Sequence, residues 1–192
     1  MQGKREVNNH NDTTIKVNKT KSMNSMNSRT GTITICGVLT ALAMIFSYIE
    51  SLMPIMVPVP GIKLGVANIA IVTVLYIVGW KEAVIINVIR IALTAMLFGN
   101  LNSFLFSMAG GMLSLAGMIV LKKVFKGFSS IGVSVAGGVL HNIGQIIAAV
   151  FIMGSSAIAY YLPVLLMAGV ITGIVIGIVA GIVTQRVRLA IG

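Results

Sequence analysis

Three ionisable side chains stand inside long apolar runs of this sequence: Glu50, Arg90 and His141. A charge at the centre of a lipid-embedded helix costs about 2.5–3.5 kcal/mol, so each of the three needs a partner or a task. Lys63 and Asn68 open a second apolar run, and Asn142 and Gln145 follow His141, with Gln145 one turn further along the same helical face. Brought together, Arg90 and Lys63 supply two positive charges against one negative charge from Glu50. That balance suits an anionic or amphipathic ligand, with Asn68, His141, Asn142 and Gln145 exchanging hydrogen bonds with it. The alternative is that Glu50 pairs with Arg90 or Lys63 and the polar groups satisfy one another, holding a helix bundle together.

Other chemistries lack their residues. The four acids, Glu6, Asp12, Glu50 and Glu82, are scattered singly, so no carboxylate cluster is available to hold magnesium against a diphosphate, and no metal site is expected. Cys36 is a single cysteine, which excludes an internal disulfide and a cysteine-ligated metal. With His10 and His141 as the two histidines, no nucleophile triad is in prospect, and G-x-x-x-x-G-K-[ST] is absent, which excludes P-loop hydrolysis of ATP. Catalysis by this chain alone is not expected, no cofactor is expected, and active transport would need a separate motor.

The elements that must position these residues follow from composition. Of 192 residues, 57% are hydrophobic and 9% are charged, far from the roughly 25% charged residues of a soluble domain, so the chain is expected to be an integral membrane protein. At about 20 residues per span there is room for six helices and a tail, and none for a second soluble domain. Residues 1–31 are rich in Asn, Ser, Thr and Lys and are expected to be a disordered cytoplasmic tail, followed by a membrane domain over residues 32–192. The first apolar run starts too late for a cleaved secretory signal, so it is expected to stay as an anchor.

Six apolar runs cover Thr32 to Met53, Leu64 to Gly79, Ala83 to Phe98, Ser103 to Leu121, Ile131 to Met153, and Ala157 to Thr184. They lack barrel-strand alternation, which predicts an all-α fold of six transmembrane helices. The second and third are short for spans and also fit a re-entrant hairpin. Twelve of the fourteen Lys and Arg fall in the tail, at the end of the chain or in the gaps after runs two and four, against Lys63 in the other gaps, which predicts both termini in the cytoplasm. Tyr76 and Trp80 then mark the inner interface, and Tyr160 and Tyr161 the outer one. The basic residues are read as topology signals, so nucleic acid is not an expected partner.

The connector Pro54 to Lys63 carries three prolines and a glycine and is expected to be stiff, either capping an outward-facing pocket or forming a plain turn. Gly169, Gly173, Gly177 and Gly181 repeat every four residues, and Gly37 and Ala41 share that spacing near the start. Both faces predict close helix approach, to a neighbour in this chain or in another protein. A third reading makes the chain an assembly scaffold.

The segments Ser47-Tyr48-Ile49-Glu50-Ser51, Val59-Pro60-Gly61-Ile62-Lys63-Leu64-Gly65-Val66-Ala67-Asn68-Ile69, Gly110-Gly111-Met112-Leu113-Ser114 and His141-Asn142-Ile143-Gly144-Gln145 occur in this order. Together they resemble the Gx transporter family, often labelled heptaprenyl diphosphate synthase component I, from about Thr32 to Leu189. That family is similar to the S components of energy-coupling factor transporters, which are small six-helix proteins. The resemblance implies an outward-facing pocket beneath the loop after helix 1, and contact with a transmembrane T component driven by two ATPases, at small residues such as Gly37 and Ala41. The synthase label implies instead an accessory subunit in the isoprenoid pathway to menaquinone, with a prenyl synthase or a redox protein as partner.

Overall fold

The structure, a computed structural model, describes residues 30–52, 63, 65–124 and 129–191. The chain divides into two compact units, Met1–Gly37 and Val38–Gly192. In the first, the described residues 30–37 are helical. Apart from Thr30 and Gly31, the expected tail lies outside the described residues, as do Pro54, Pro58 and Pro60 of the connector.

Among the described residues there are six α-helices and no strand. They are α1 (Thr30–Leu52), α2 (Asn68–Ile77), α3 (Trp80–Phe98), α4 (Leu101–Val124), α5 (Ser130–Met153) and α6 (Leu162–Ile191), with a 3-10 segment, Ser156–Tyr161, ahead of α6. Among the described residues, four helical stretches are long and apolar enough to cross a membrane: α1, α4, α5 and the stretch Ser156–Val187 that includes most of α6. The six expected spans are thus six helices, of which two fall outside that set. α3 has 19 residues, about 28 Å of rise, but carries Lys81, Glu82 and Arg90. α2 has 10 residues and, at 1.5 Å each, about half the roughly 30 Å of a bilayer core.

The reason α2 is short lies at its start. Gly65 takes φ +86°, a left-handed conformation open to glycine and strained for other residues, so the helix pattern that begins at Leu64 in the sequence starts at Asn68 in the structure. α2 is buried from Asn68 to Leu75 and packs against α6 and α3. At its far end Lys122 of α4 donates to the Leu75 carbonyl at 2.5 Å and lies 4.7 Å from the Tyr76 ring, while Lys123 lies 4.7 Å from the Trp80 ring. A cation at a helix C-terminus meets its unpaired carbonyls and its dipole. These contacts bring Lys122 and Lys123, at the end of α4, to the gap between α2 and α3.

The last run divides differently from expectation. Pro163 has no N–H to leave unpaired and its fixed φ suits the first turn of a helix, where it stands in α6, which begins at Leu162, and Tyr160 and Tyr161 close the 3-10 segment. Phe106, Ile146, Ala149, Ile158 and Leu165 form a buried apolar cluster where α4, α5, the 3-10 segment and α6 meet.

Candidate functional site

Lys63 and the residues Gly65 to Ala67 precede α2 without helical structure, yet the backbone groups of Lys63, Gly65 and Val66 are held. Glu50 of α1 accepts from the Gly65 N–H and from the Val66 N–H at 3.3 Å. Gln145 of α5 accepts the Lys63 N–H at 3.0 Å and donates to the Lys63 carbonyl at 3.0 Å, a two-point clamp on one residue. Buried backbone groups outside a helix need such partners, and two side chains from distant helices supply them here. Asn68 and Ile69 bond back to Gly65 and Val66, so the turn runs directly into α2 with the Glu50 carboxylate at its positive end.

That clamp also sets the histidine. The Gln145 amide orientation is fixed by the N–H and C=O of Lys63, and its Nε2 lies 2.5 Å from His141 Nε2. His141 Nε2 is therefore the acceptor and the proton sits on Nδ1, on the side of the Gly110 backbone. Gly65 packs against the same ring: a Cβ there would come 3.0 Å from His141 Cδ2 and 3.1 Å from Asn68 Nδ2.

Arg90 stands at the other side of this cluster. Its Nη2 donates to Asn87 Oδ1 at 2.8 Å and its Nη1 to Ser47 Oγ at 3.3 Å, while Nε is buried without a partner. The guanidinium lines a cavity of about 10 Å³ together with Lys63, Ser47, Thr94, Ser103 and Ser107. That volume holds about one water-sized group. Thr94 Oγ1 is also buried and unpartnered. Two cations and four hydroxyls thus converge on one small space, and the Glu50 carboxylate acts on both cations across the cluster.

Of the residues singled out in the sequence, Glu50, Lys63, Asn68, Arg90, His141 and Gln145 come together, and all but Lys63 are buried. Glu50 and Gln145 spend their polar atoms on backbone, which differs from both an ion pair and a free ligand group. Asn142 points elsewhere, donating to the Leu165 carbonyl on α6 at 2.5 Å. Ser47, Thr94, Ser103 and Ser107 were missed because single hydroxyls are common in apolar helices. Their spacing carries a signal, since Thr94 lies one turn from Arg90, Ser47 one turn from Glu50, and Ser103 and Ser107 four apart.

The glycine stripe packs within the chain. A Cβ at Gly169 would stand 2.9 Å from the Gly138 carbonyl oxygen, and one at Gly173 or Gly177 would stand 2.5 Å from Val135 Cα or Ile131 Cα, all on α5. Gly181 meets Ser130 Oγ at 3.1 Å. Gly37 and Ala41 are exposed, and among the described residues no atom lies within 4 Å of a Cβ placed on Gly37. Among the described residues no group of three or more His, Cys, Asp or Glu is placed to hold a metal ion.

Comparison with curated proteins returns no match, and neither does comparison with solved structures. Residues 39–183 match the family model described as heptaprenyl diphosphate synthase component I, a span that holds α2 to α5, most of α1 and α6, and every residue of the polar cluster. The chain belongs to the heptaprenyl diphosphate synthase component I family.

Proposed function

We propose that this chain is a non-catalytic membrane subunit that binds a small anionic or amphipathic ligand at the Arg90–Lys63 cavity, capturing it from the outer side as an S component does. The observation that supports this is the cavity itself: a fully buried guanidinium with an unpartnered Nε, beside a lysine and four hydroxyls. A structural ion pair would leave no such surplus of donors. The space admits one water-sized group as it stands, so a larger oxyanion enters when the flexible Lys63 side chain swings aside. Gln145 then holds the Lys63 backbone while its side chain moves, Glu50, His141 and Asn68 frame the adjoining turn, and Asn142 serves as a tie between α5 and α6.

The test is binding of inorganic pyrophosphate to the purified chain in nanodiscs by calorimetry. Arg90→Gln keeps the size and hydrogen-bonding ability of the side chain but removes its charge, and is expected to weaken binding about ten-fold or more. Equal affinity in a folded R90Q protein would end the proposal.

A second reading, nearer to the words of the family description, is an accessory subunit of a prenyl diphosphate synthase; an accessory subunit of a menaquinone-linked redox complex belongs to the same class. Purification of the tagged chain from native membranes in mild detergent separates the two. A T component with ATPases among the co-purifying proteins supports capture for transport, with Gly37 and Ala41 as its contact. A prenyl synthase or a redox protein without ATPases supports the second reading.

A further inference from the structure

Three lysines gather at the end of α2 away from the Lys63 turn. Lys81, in the first turn of α3, and Lys123, in the last turn of α4, lie 5.8 and 4.7 Å from the centre of the Trp80 ring. Lys122 stands beside them, 4.7 Å from the Tyr76 ring and bonded to the Leu75 carbonyl. Two like charges held at one ring repel, and the aromatic faces that ease this carry no net charge. Among the described residues no acid lies within ion-pair distance of Lys81 or Lys123. Glu82, the neighbour of Lys81, turns back toward Gly79, where a Cβ would meet its carboxylate at 2.8 Å.

The surface below these cations is apolar. Ile85 follows Lys81 by one turn on the same face of α3, and Val120 precedes Lys123 by three residues on α4; both aliphatics are more than half exposed. α4 has 24 residues and is apolar enough to cross a membrane, so its last turn stands where hydrocarbon gives way to headgroups. Trp80, 46% exposed, is an amphipathic ring suited to that level. A cation above bare aliphatic surface on two neighbouring helices matches both parts of a lipid, phosphate above and acyl chain below. A soluble anion would use the lysines alone.

We infer that Lys81 and Lys123, with Trp80 between them and Lys122 alongside, form a docking site for the headgroup of an anionic phospholipid whose chains lie on the exposed faces of α3 and α4. Basic pockets between spanning helices recognise such headgroups, and a zwitterionic headgroup brings a cation of its own that the lysines repel. Because Lys122 in the same turn meets the end of α2 at Leu75, a headgroup held at Lys81 and Lys123 fastens α2, α3 and α4 together at this edge. The site is separate from the Arg90–Lys63 cavity and does not depend on a ligand there.

The test is native mass spectrometry of the detergent-solubilised chain titrated with dioleoylphosphatidylglycerol or dioleoylphosphatidylcholine, which share their acyl chains. The anionic lipid is expected to be retained about ten-fold more tightly, an advantage that shrinks as salt is raised. Lys81→Gln combined with Lys123→Gln, both at exposed positions, is expected to reduce that advantage to about two-fold. Lys19→Gln combined with Lys21→Gln removes the same charge from the N-terminal region and is expected to leave it unchanged. Equal retention of the two lipids by the unsubstituted chain, or an equal loss in both double variants, overturns the inference and leaves the lysines as topology signals. Inorganic phosphate in excess is expected to displace little of the bound lipid. Displacement by phosphate down to the level of the Lys81–Lys123 variant would overturn the lipid assignment and give the site to a soluble anion.

Discussion

Gln145 and Gly65 make the irregular stretch before α2 depend on single side chains. Gln145→Leu has a similar size but leaves the Lys63 N–H and carbonyl without partners, and each such loss costs about 1–3 kcal/mol. The expected outcome is a clear drop in melting temperature in detergent, with faster amide exchange at residues 63–66. Gly65→Ala forces a left-handed φ on a residue with a Cβ and pushes that Cβ onto His141, so a loss of about 1–3 kcal/mol is expected in the same thermal assay.

Lys63 offers a pH test of the cavity. Burial pulls its ammonium below the ordinary value of 10.5, with the Glu50 carboxylate opposing that shift and Arg90 adding to it. As pH rises toward that value, Lys63 therefore loses its charge earlier than a free lysine would, and its contribution to anion binding fades. The ratio of wild-type to Lys63→Met affinity for pyrophosphate is expected to fall over the alkaline range, the titration of the probe being common to both proteins. A flat ratio would place Lys63 outside the binding site.

Among the elements, α5 and α6 depend most on small residues. Gly173 and Gly177 stand where a Cβ would press into the backbone of Val135 and Ile131, and backbone cannot yield as a side-chain tip does. Gly173→Leu is expected to push the helices apart and lower stability by about 2 kcal/mol or more, read as loss of the monodisperse detergent-solubilised peak. A large residue at Ala41 is expected to leave that peak unchanged, because the position is exposed. α2 shows the opposite relation between element and surroundings. Ten residues cannot stabilise a helix alone, and it persists because it is buried on all sides and its end carbonyl at Leu75 is met by Lys122.

For the whole molecule, Lys81, Lys122 and Lys123 gather with Tyr76 and Trp80 where α2, α3 and α4 meet. The positive-inside rule assigns that end to the cytoplasm. In a Cys36→Ser background, a cysteine at Ser156 is then expected to react with a membrane-impermeant maleimide in intact cells. One at Lys123 is expected to react after the cells are opened, and the reverse pattern would invert the assigned topology.

Helix number and approximate helix positions were legible in the sequence, because apolar runs separated by Gly, Pro and Lys reflect local physics: a helix that faces lipid or a core must be apolar along its length. Glu50, Arg90 and His141 were legible for the same reason, since an ionisable group within an apolar run is costly enough to stand out, and Lys63 and Gln145 through their places beside them. What each of them does was decided only in three dimensions. Glu50 and Gln145 bond to backbone 15 and 82 residues away, Asn142 turns to α6, and Ser47 of α1 bonds Arg90 of α3, because these are long-range pairings that sequence spacing does not encode. The early end of the α2 pattern belongs with them: the left-handed φ at Gly65 is permitted by glycine, but it is held in place by the carboxylate and the amide that reach it from α1 and α5.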